Sequence, residues 1–164
     1  WVNTPGKHKM EAPYYLPLSE EETPKIELEN TTIGVVAGSF MGVLGPAKTY
    51  SPQTLLRIDA SSACSIEIPL PKHYNTLLYL LKGGLSVENE KVSSKTMIWY
   101  KNDGDMLTIN ISEASQFIIL SGEPIGEPVV SYGPFVMNNH EELQQAVSDF
   151  QDGKMGDLIE TFAD

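Results

Sequence analysis

The stretch that decides the fold runs from residue 76 to residue 100 and reads TLLYLLKGGLSVENEKVSSKTMIWY. It contains three short segments that are apolar or alternating, and the turn-forming pairs Gly83-Gly84 and Asn89-Glu90 separate them. The segment Thr76–Leu81 is nearly all apolar, which predicts a central strand that is buried on both faces. Short strands joined by tight turns indicate an antiparallel sheet.

Segments of the same kind lie on both sides of this stretch. Ile26 and Leu28 alternate with charged residues, which is the period of two expected of a half-buried strand. The further predicted strands are Thr32–Ala37, Thr54–Asp59, Cys64–Leu70, Thr76–Lys82, Leu85–Glu88, Thr96–Tyr100, Met106–Asn110 and Gln116–Ser121. Many short strands at this spacing predict an all-β sandwich or barrel. We therefore divide the chain into an extended arm (residues 1–23), a β-barrel (24–121) and a tail (122–164).

The tail is predicted to begin with an irregular Gly/Pro-rich segment, residues 122–139, and to continue as a helix. Leu143, Ala146, Val147 and Phe150 recur at helical spacing and form one apolar face. Asn139 is placed to cap the first turn, with Glu142 reaching back as in a capping box, and Gly153 is placed to end the helix. A second short amphipathic segment is predicted at Asp157–Phe162.

The composition excludes several classes of function. The 164 residues suffice for one domain of ordinary size, and 22 acidic against 11 basic residues give a formal charge of -11. A surface with this much negative charge repels phosphate backbones and anionic lipids. We therefore expect neither nucleic acid nor a membrane as a partner.

The single Cys64 allows no internal disulfide and indicates a small core residue in a reducing compartment. No apolar run approaches the length of a membrane span. We predict a cytoplasmic location.

One segment has the layout of a metal site. The residues around His73 and Asn75, followed by a strand that ends at Gly83, resemble the first cupin motif, in which a His-x-His pair and a Glu hold one metal ion. Here Asn75 stands at the second His position, and residues 77–79 supply no Glu. No His follows Asp105 in the strands that close the barrel, so we expect no metal in this chain.

Three residues remain as candidate contacts of a ligand in the barrel, and we expect no catalytic residue. The candidates are His73, Asn75 and Tyr79, the polar or aromatic residues of the degenerate motif. The alternative interpretation is that His73 is an exposed loop residue and Tyr79 a core residue.

The tail carries a resemblance to a known family. Residues 122–130, GEPIGEPVV, and residues 132–138, YGPFVMN, resemble the C-terminal signature of the pirin family. Matching features along the chain are the Trp1-Val2-Asn3 start, Gly45-Pro46, and Pro52 followed by Thr54-Leu55-Leu56. The resemblance covers essentially the whole chain.

The resemblance implies a fold for this chain and indicates which of the two barrels binds iron. Pirins resemble two fused cupin barrels, in which three His and one Glu of the N-terminal barrel bind iron, and this chain resembles the C-terminal barrel. It implies a cupin-type barrel (double-stranded β-helix or jelly roll) with a C-terminal helical tail. It also implies no cofactor in this chain, with iron only in an N-terminal cupin that the chain does not contain.

Three functions follow from these expectations and stay open at this point. The first is a non-catalytic half that supports the iron-bearing barrel, in the same chain or another. The second is part of an iron-dependent quercetinase-type dioxygenase, and the third is a barrel that binds a small ligand without metal. The expected partners are the N-terminal pirin cupin or other proteins. A second copy is a further possibility, because Leu143, Val147 and Phe150 of the tail helix would otherwise form an exposed patch.

Overall fold

A computed structural model describes residues 1–13 and 15–156. The amphipathic segment predicted at Asp157–Phe162 lies outside the described residues. Within the described part of the chain, the longest helix has twelve residues and lacks the length and apolar character needed to cross a membrane. The cytoplasmic location stays a prediction.

A six-stranded antiparallel sheet forms the larger layer of the fold. Its strands, in spatial order, are β1 (Lys25–Glu27), β2 (Thr31–Ala37), β5 (Gln53–Ala60), β12 (Ser115–Gly122), β7 (Asn75–Lys82) and β10 (Thr96–Trp99). Side chains alternate across this sheet, so that β5 and β12 bury every second residue.

Smaller β-structures complete the fold. The second sheet contains four antiparallel strands, in the spatial order β6 (Cys64–Pro69), β11 (Met106–Ile111), β8 (Gly84–Val87) and β9 (Glu90–Ser93). Two separate hairpins are β3 (Ser39–Phe40) with β4 (Val43–Leu44), and β13 (Val130–Tyr132) with β14 (Phe135–Met137).

The inward-facing side chains of both sheets form one apolar core. Leu56, Leu78 and Phe117 of the six-stranded sheet are fully buried, as are Ile68 and Ile109 of the four-stranded sheet. All belong to one cluster of sixteen buried apolar residues among those described. Burial of so many branched side chains is the main stabilising contribution to this fold.

The all-β class predicted from the sequence is confirmed, and three details of the prediction are wrong. Residues 76–81 are not buried on both faces, because Leu77 and Tyr79 are half-buried and Leu81 is 43% exposed. The turn predicted at Asn89-Glu90 lies one residue earlier, at Glu88-Asn89, and the strand that follows it, β9 (Glu90–Ser93), was not predicted. The tail segment predicted as irregular contains the hairpin β13–β14, whose turn passes through Gly133 at φ 56°.

The predicted tail helix is confirmed as α1 (His140–Gln151). The Asn139 side chain accepts a hydrogen bond from the Glu142 backbone N–H at 2.9 Å, which is the predicted cap. Glu142 reaches back to the N–H of Asn138, one residue before the cap. Gly153 adopts φ 70°, and the N–H groups of Gly153 and Lys154 bond to the carbonyls of Phe150 and Asp149 in a Schellman end.

The described chain forms two compact units. One unit is Leu18–Pro124, which contains both large sheets, and the other consists of Trp1–Pro17 and the residues from Ile125 onward. The second unit has a small core of its own, made of Met137, Leu143 and Ala146. The predicted boundaries at residues 23/24 and 121/122 stay a prediction beside this grouping.

Candidate functional site

His73, the first predicted candidate, lies in the turn that precedes β7. The N–H of Tyr74 closes this turn on the carbonyl of Pro71 at 3.0 Å. The His73 side chain is 65% exposed, and its Nε2 lies 3.6 Å from Oε1 of Glu123. The ring of Tyr74 meets the imidazole edge-on at 4.8 Å between centroids. Burial, with the Glu123 charge as a smaller cause, raises the pKa of Tyr74.

Asn75 and Tyr79, the other two candidates, lie on the outer face of β7. The alternation of the strand points Leu78 and Leu80 into the core and therefore points Asn75 and Tyr79 away from it. Asn75 is exposed, and its Oδ1 accepts a hydrogen bond from Nδ2 of Asn102 at 3.3 Å. The structure does not bring these candidates together inside the barrel. Their role as ligand contacts stays a prediction.

The inward-facing polar groups at one end of the six-stranded sheet are hydroxyls. Thr54, Ser121 and Thr76 lie side by side on β5, β12 and β7, and all three are buried. The hydroxyls of Thr76 and Ser121 are hydrogen-bonded to each other at 2.8 Å. This contact satisfies part of the hydrogen-bonding capacity of both buried hydroxyls.

The polar side chains inside this barrel do not fit a transition metal such as the iron that the family resemblance assigns to the N-terminal cupin. Transition metals of this class prefer imidazole, thiolate or carboxylate ligands. Among the described residues, no group of three or more His, Cys, Asp or Glu side chains comes together. The inward positions of β5, β7 and β12 hold only apolar residues and hydroxyls.

Tyr100, the last residue of the predicted strand Thr96–Tyr100, is a half-buried titratable residue. It follows β10, and its N–H donates to the carbonyl of Thr76 at 3.0 Å. Its ring packs against the main core, and its hydroxyl is buried with no hydrogen-bond partner among the described residues. Burial raises the pKa of Tyr100 to about 12, and the Glu88 charge adds to the shift.

A cavity on the outer face of the six-stranded sheet was missed by sequence reasoning. Its volume is about 430 Å³, and its lining includes Lys25, Thr32, Gly34, Arg57 and Asp59. Gly34 has no side chain, which opens the space between β1 and β5. The available signal was Arg57 itself, because it is the only arginine in a strongly acidic sequence.

The charges in this cavity are arranged around Arg57. Its Nε lies 3.0 Å from Oδ2 of Asp59, whose other oxygen accepts a hydrogen bond from Gln116 at 2.7 Å. Nη1 of Arg57 is 3.9 Å from Glu20, and Lys25 contacts the same carboxylate at 3.0 Å. The hydrogen bond from Lys25 lowers the pKa of Glu20, and the charges of Lys25 and Arg57 lower it further.

In the other compact unit, Glu127 joins the first residues of the chain to the tail. Its Oε2 accepts hydrogen bonds from the N–H of Gly6 at 2.7 Å and from the side-chain amide of Asn138. The Asn138 hydrogen bond, followed by that from Gly6, lowers the pKa of Glu127. A Cβ at Gly6 would lie 2.7 Å from Nδ2 of Asn138, which is too close. These residues of the tail signature therefore have a structural role.

Comparison with known proteins finds a consistent set of relatives. The Pirin C-terminal cupin domain family matches residues 55–156. A putative quercetin 2,3-dioxygenase of Pseudomonas aeruginosa is 33% identical over 156 residues, which cover 94% of this chain and 54% of that protein. Pirin of Mus musculus is 32% identical over 161 residues, which cover 95% of this chain and 56% of that protein.

Solved structures give the same result. A crystal structure of quercetin 2,3-dioxygenase from Acinetobacter baumannii matches with a TM-score of 0.88 and 30% identity, covering 97% of this chain and 56% of that one. A crystal structure of GK1651 from Geobacillus kaustophilus matches with a TM-score of 0.71 and 30% identity, covering 79% and 54%. The cupin-type fold is confirmed, and the chain spans about half the length of the relatives it matches.

Proposed function

The chain belongs to the pirin family as its C-terminal cupin domain, and we propose that it is a non-catalytic half that supports a separate, iron-bearing cupin barrel. The observation that carries the proposal is the type of side chain inside the barrel that could serve as a metal ligand. Hydroxyls of Thr54, Thr76 and Ser121 stand at one end of the sheet, and the other buried positions of β5, β7 and β12 hold apolar side chains and the hydroxyl of Ser115. Such an interior stabilises a fold and supplies no metal ligands.

The small second unit supports a role in interaction. Its core contains three buried apolar residues among those described, which is little for an independently stable structure. Large apolar side chains of the same unit are exposed, including Tyr132 at 71% and Phe150 at 63%. Leu143, predicted as part of an exposed patch, is instead buried in this core. An additional domain would cover the exposed residues and stabilise the unit.

The test is metal binding by the chain itself. After incubation with Fe(II), Ni(II) or Zn(II) and removal of excess ion, we expect the metal content by mass spectrometry to stay far below one ion per chain. The His73→Ala variant is expected to give the same value, because His73 is an exposed residue beside Glu123. One tightly held ion per chain that disappears in His73→Ala would contradict the proposal.

A second candidate is that the chain is part of a flavonol dioxygenase, which the names of the relatives from Pseudomonas aeruginosa and Acinetobacter baumannii favour. In such a protein this chain would act as a support, and the iron would belong to the other half. The test is a chimera in which this chain replaces the matching half of the Pseudomonas relative. Quercetin-dependent oxygen consumption by the chimera, absent from this chain alone, would favour this candidate.

A further inference from the structure

We propose that the outer face of the six-stranded sheet is the surface on which the other barrel docks. The inference rests on the proposed function and names the surface that function uses. The docking surface is formed by seven apolar side chains of four adjacent strands, and we call it the outer-face patch: Leu55, Leu77, Tyr79, Met97, Trp99, Ile118 and Leu120.

The strand register makes the outer-face patch continuous. One row of directly paired residues runs Trp99, Leu77, Leu120 and Leu55 across β10, β7, β12 and β5. The next row runs Met97, Tyr79 and Ile118 and then reaches Arg57. Cross-strand neighbours on one face lie within side-chain contact distance, so each row is an unbroken apolar strip.

The exposure of this face is unusual for an antiparallel sheet. Such sheets commonly have one face packed on a core and one polar face in water. Here the part of the outer face formed by β10, β7 and β12 is also apolar, with Trp99 74% exposed and Met97 59% exposed. Contiguous exposed apolar surface of this kind marks an interaction site.

The composition of the face and its border resembles a protein–protein interface. Trp, Tyr, Met and Arg are the residue types enriched in such interfaces, and here they are Trp99, Tyr79, Met97 and Arg57. Arg57 pairs with Ile118 in the register and lines the polar cavity described above. The patch therefore has an apolar centre with a polar border on one side.

The length of the relatives identifies the occupant. This chain covers only 54% and 56% of the first two relatives, so they carry a further segment nearly as long as this chain. A partner of that size can cover four strands. A second copy is a poorer occupant, because self-docking brings together two chains that each carry a charge of -11.

The experiment measures protection of methionine side chains from peroxide oxidation. Met97 lies in the outer-face patch, whereas Met41 and Met106 lie outside it, and the three are exposed to a similar degree at 59%, 64% and 47%. Oxidation of each is followed by peptide mass spectrometry in this chain and in the chimera with the Pseudomonas relative. In the chimera we expect Met97 to react at least about fivefold more slowly, because oxidation follows exposure, with Met41 and Met106 unchanged.

Calorimetry of the same chimera separates the possible failures. One outcome is a chimera that unfolds in a single transition above the melting temperature of this chain, with Met97 still unprotected. This result would contradict docking on the outer-face patch but would agree with the proposed function. A chimera whose halves unfold separately at their own temperatures would contradict the proposed function. Protection of Met97 already in this chain, together with a dimer in analytical ultracentrifugation, would assign the patch to a second copy and overturn the proposal.

Substitution gives a matched second test. Met97→Lys places a charge in the outer-face patch, and Met106→Lys places the same charge on the four-stranded sheet. Both side chains are exposed, so we expect neither variant to lower the melting temperature of this chain. In the chimera, Met97→Lys is expected to lower the melting temperature and restore separate unfolding of the halves, and Met106→Lys is not. Equal effects of the two variants in the chimera would contradict the proposal.

Discussion

At the scale of single residues, Gly38 and Gly42 show that glycine is required in turns for two different reasons. Both have left-handed backbone conformations, with φ of 74° and 79°. A Cβ at Gly38 would lie 1.8 Å from the carbonyl oxygen of Gln53, whereas a Cβ at Gly42 would meet nothing within 4 Å. Gly42 therefore needs only the conformational freedom of glycine, and Gly38 also needs the space.

We expect Gly42→Ala to lower the free energy of unfolding by about 1 kcal/mol, the cost of a left-handed alanine. Gly38→Ala should cost about 3 kcal/mol or more, since the backbone of β5 must move. Urea unfolding followed by circular dichroism measures both values. Equal losses for the two variants would mean that the close approach of Gly38 to β5 is wrong.

Tyr100 predicts how stability depends on pH. Its pKa is about 12 in the folded chain against an ordinary value of 10.0, so the folded state favours the neutral phenol. The stability this provides is present below about pH 10 and is lost as the pH rises towards about 12. We expect Tyr100→Phe to flatten the fall in the free energy of unfolding over this range.

The matched control for this prediction is Tyr132→Phe, because Tyr132 is 71% exposed. Urea unfolding at several pH values should show the wild-type fall in Tyr132→Phe and a smaller fall in Tyr100→Phe. At pH 7, Tyr100→Phe should be neutral or stabilising by up to about 1 kcal/mol, since the hydroxyl it removes has no hydrogen-bond partner among the described residues. A strong loss of stability at pH 7 would indicate a partner for that hydroxyl.

At the scale of elements, α1 depends on its cap. Asn139 accepts the hydrogen bond of one of the first N–H groups of the helix, so Asn139→Ala should destabilise α1 locally by about 1 kcal/mol. Hydrogen exchange of the amides in α1 measures this loss directly. Gln144→Ala, at an exposed position inside the helix, should leave exchange unchanged or slower because alanine favours helices. Faster exchange in both variants to the same extent would argue against the cap.

The elements also show how far the sequence predicts the fold. Strands with a clear apolar period were predicted to within one or two residues, as for Thr54–Asp59 against β5. Strand β9 was missed because it is short and polar, with Glu90 and Lys91 exposed. The outer face of β7 was predicted as buried, because an apolar run does not reveal whether another domain covers it.

The site was less predictable than the fold, because its contacts join residues far apart in sequence. The His73–Glu123 pair spans fifty positions, and its 3.6 Å distance depends on the pairing of β7 with β12. The cavity around Arg57 likewise requires β1, β2 and β5 in their spatial order. By contrast, the degenerate character of the metal motif was readable from residue types alone at Asn75 and residues 77–79.

At the scale of the whole molecule, the two compact units differ in the size of their own cores. Sixteen buried apolar residues stabilise the main cluster of the described chain, whereas the second cluster has three. Stability within a protein follows such differences, since regions with few buried contacts open at lower free energy. We therefore expect hydrogen exchange to detect opening of α1 and β13–β14 well below the free energy of global unfolding.

Two leucines, one in each core, make this prediction specific. Leu143→Ala should accelerate exchange in α1, β13 and β14, because Leu143 belongs to the small core of that unit. Leu78→Ala should lower the free energy of unfolding of the sheets by about 2–5 kcal/mol and accelerate exchange in β5, β7 and β12. Exchange resolved by peptide distinguishes the two patterns. If Leu143→Ala accelerated exchange in β5 and β12 as much as in α1, the small core would open only together with the large one.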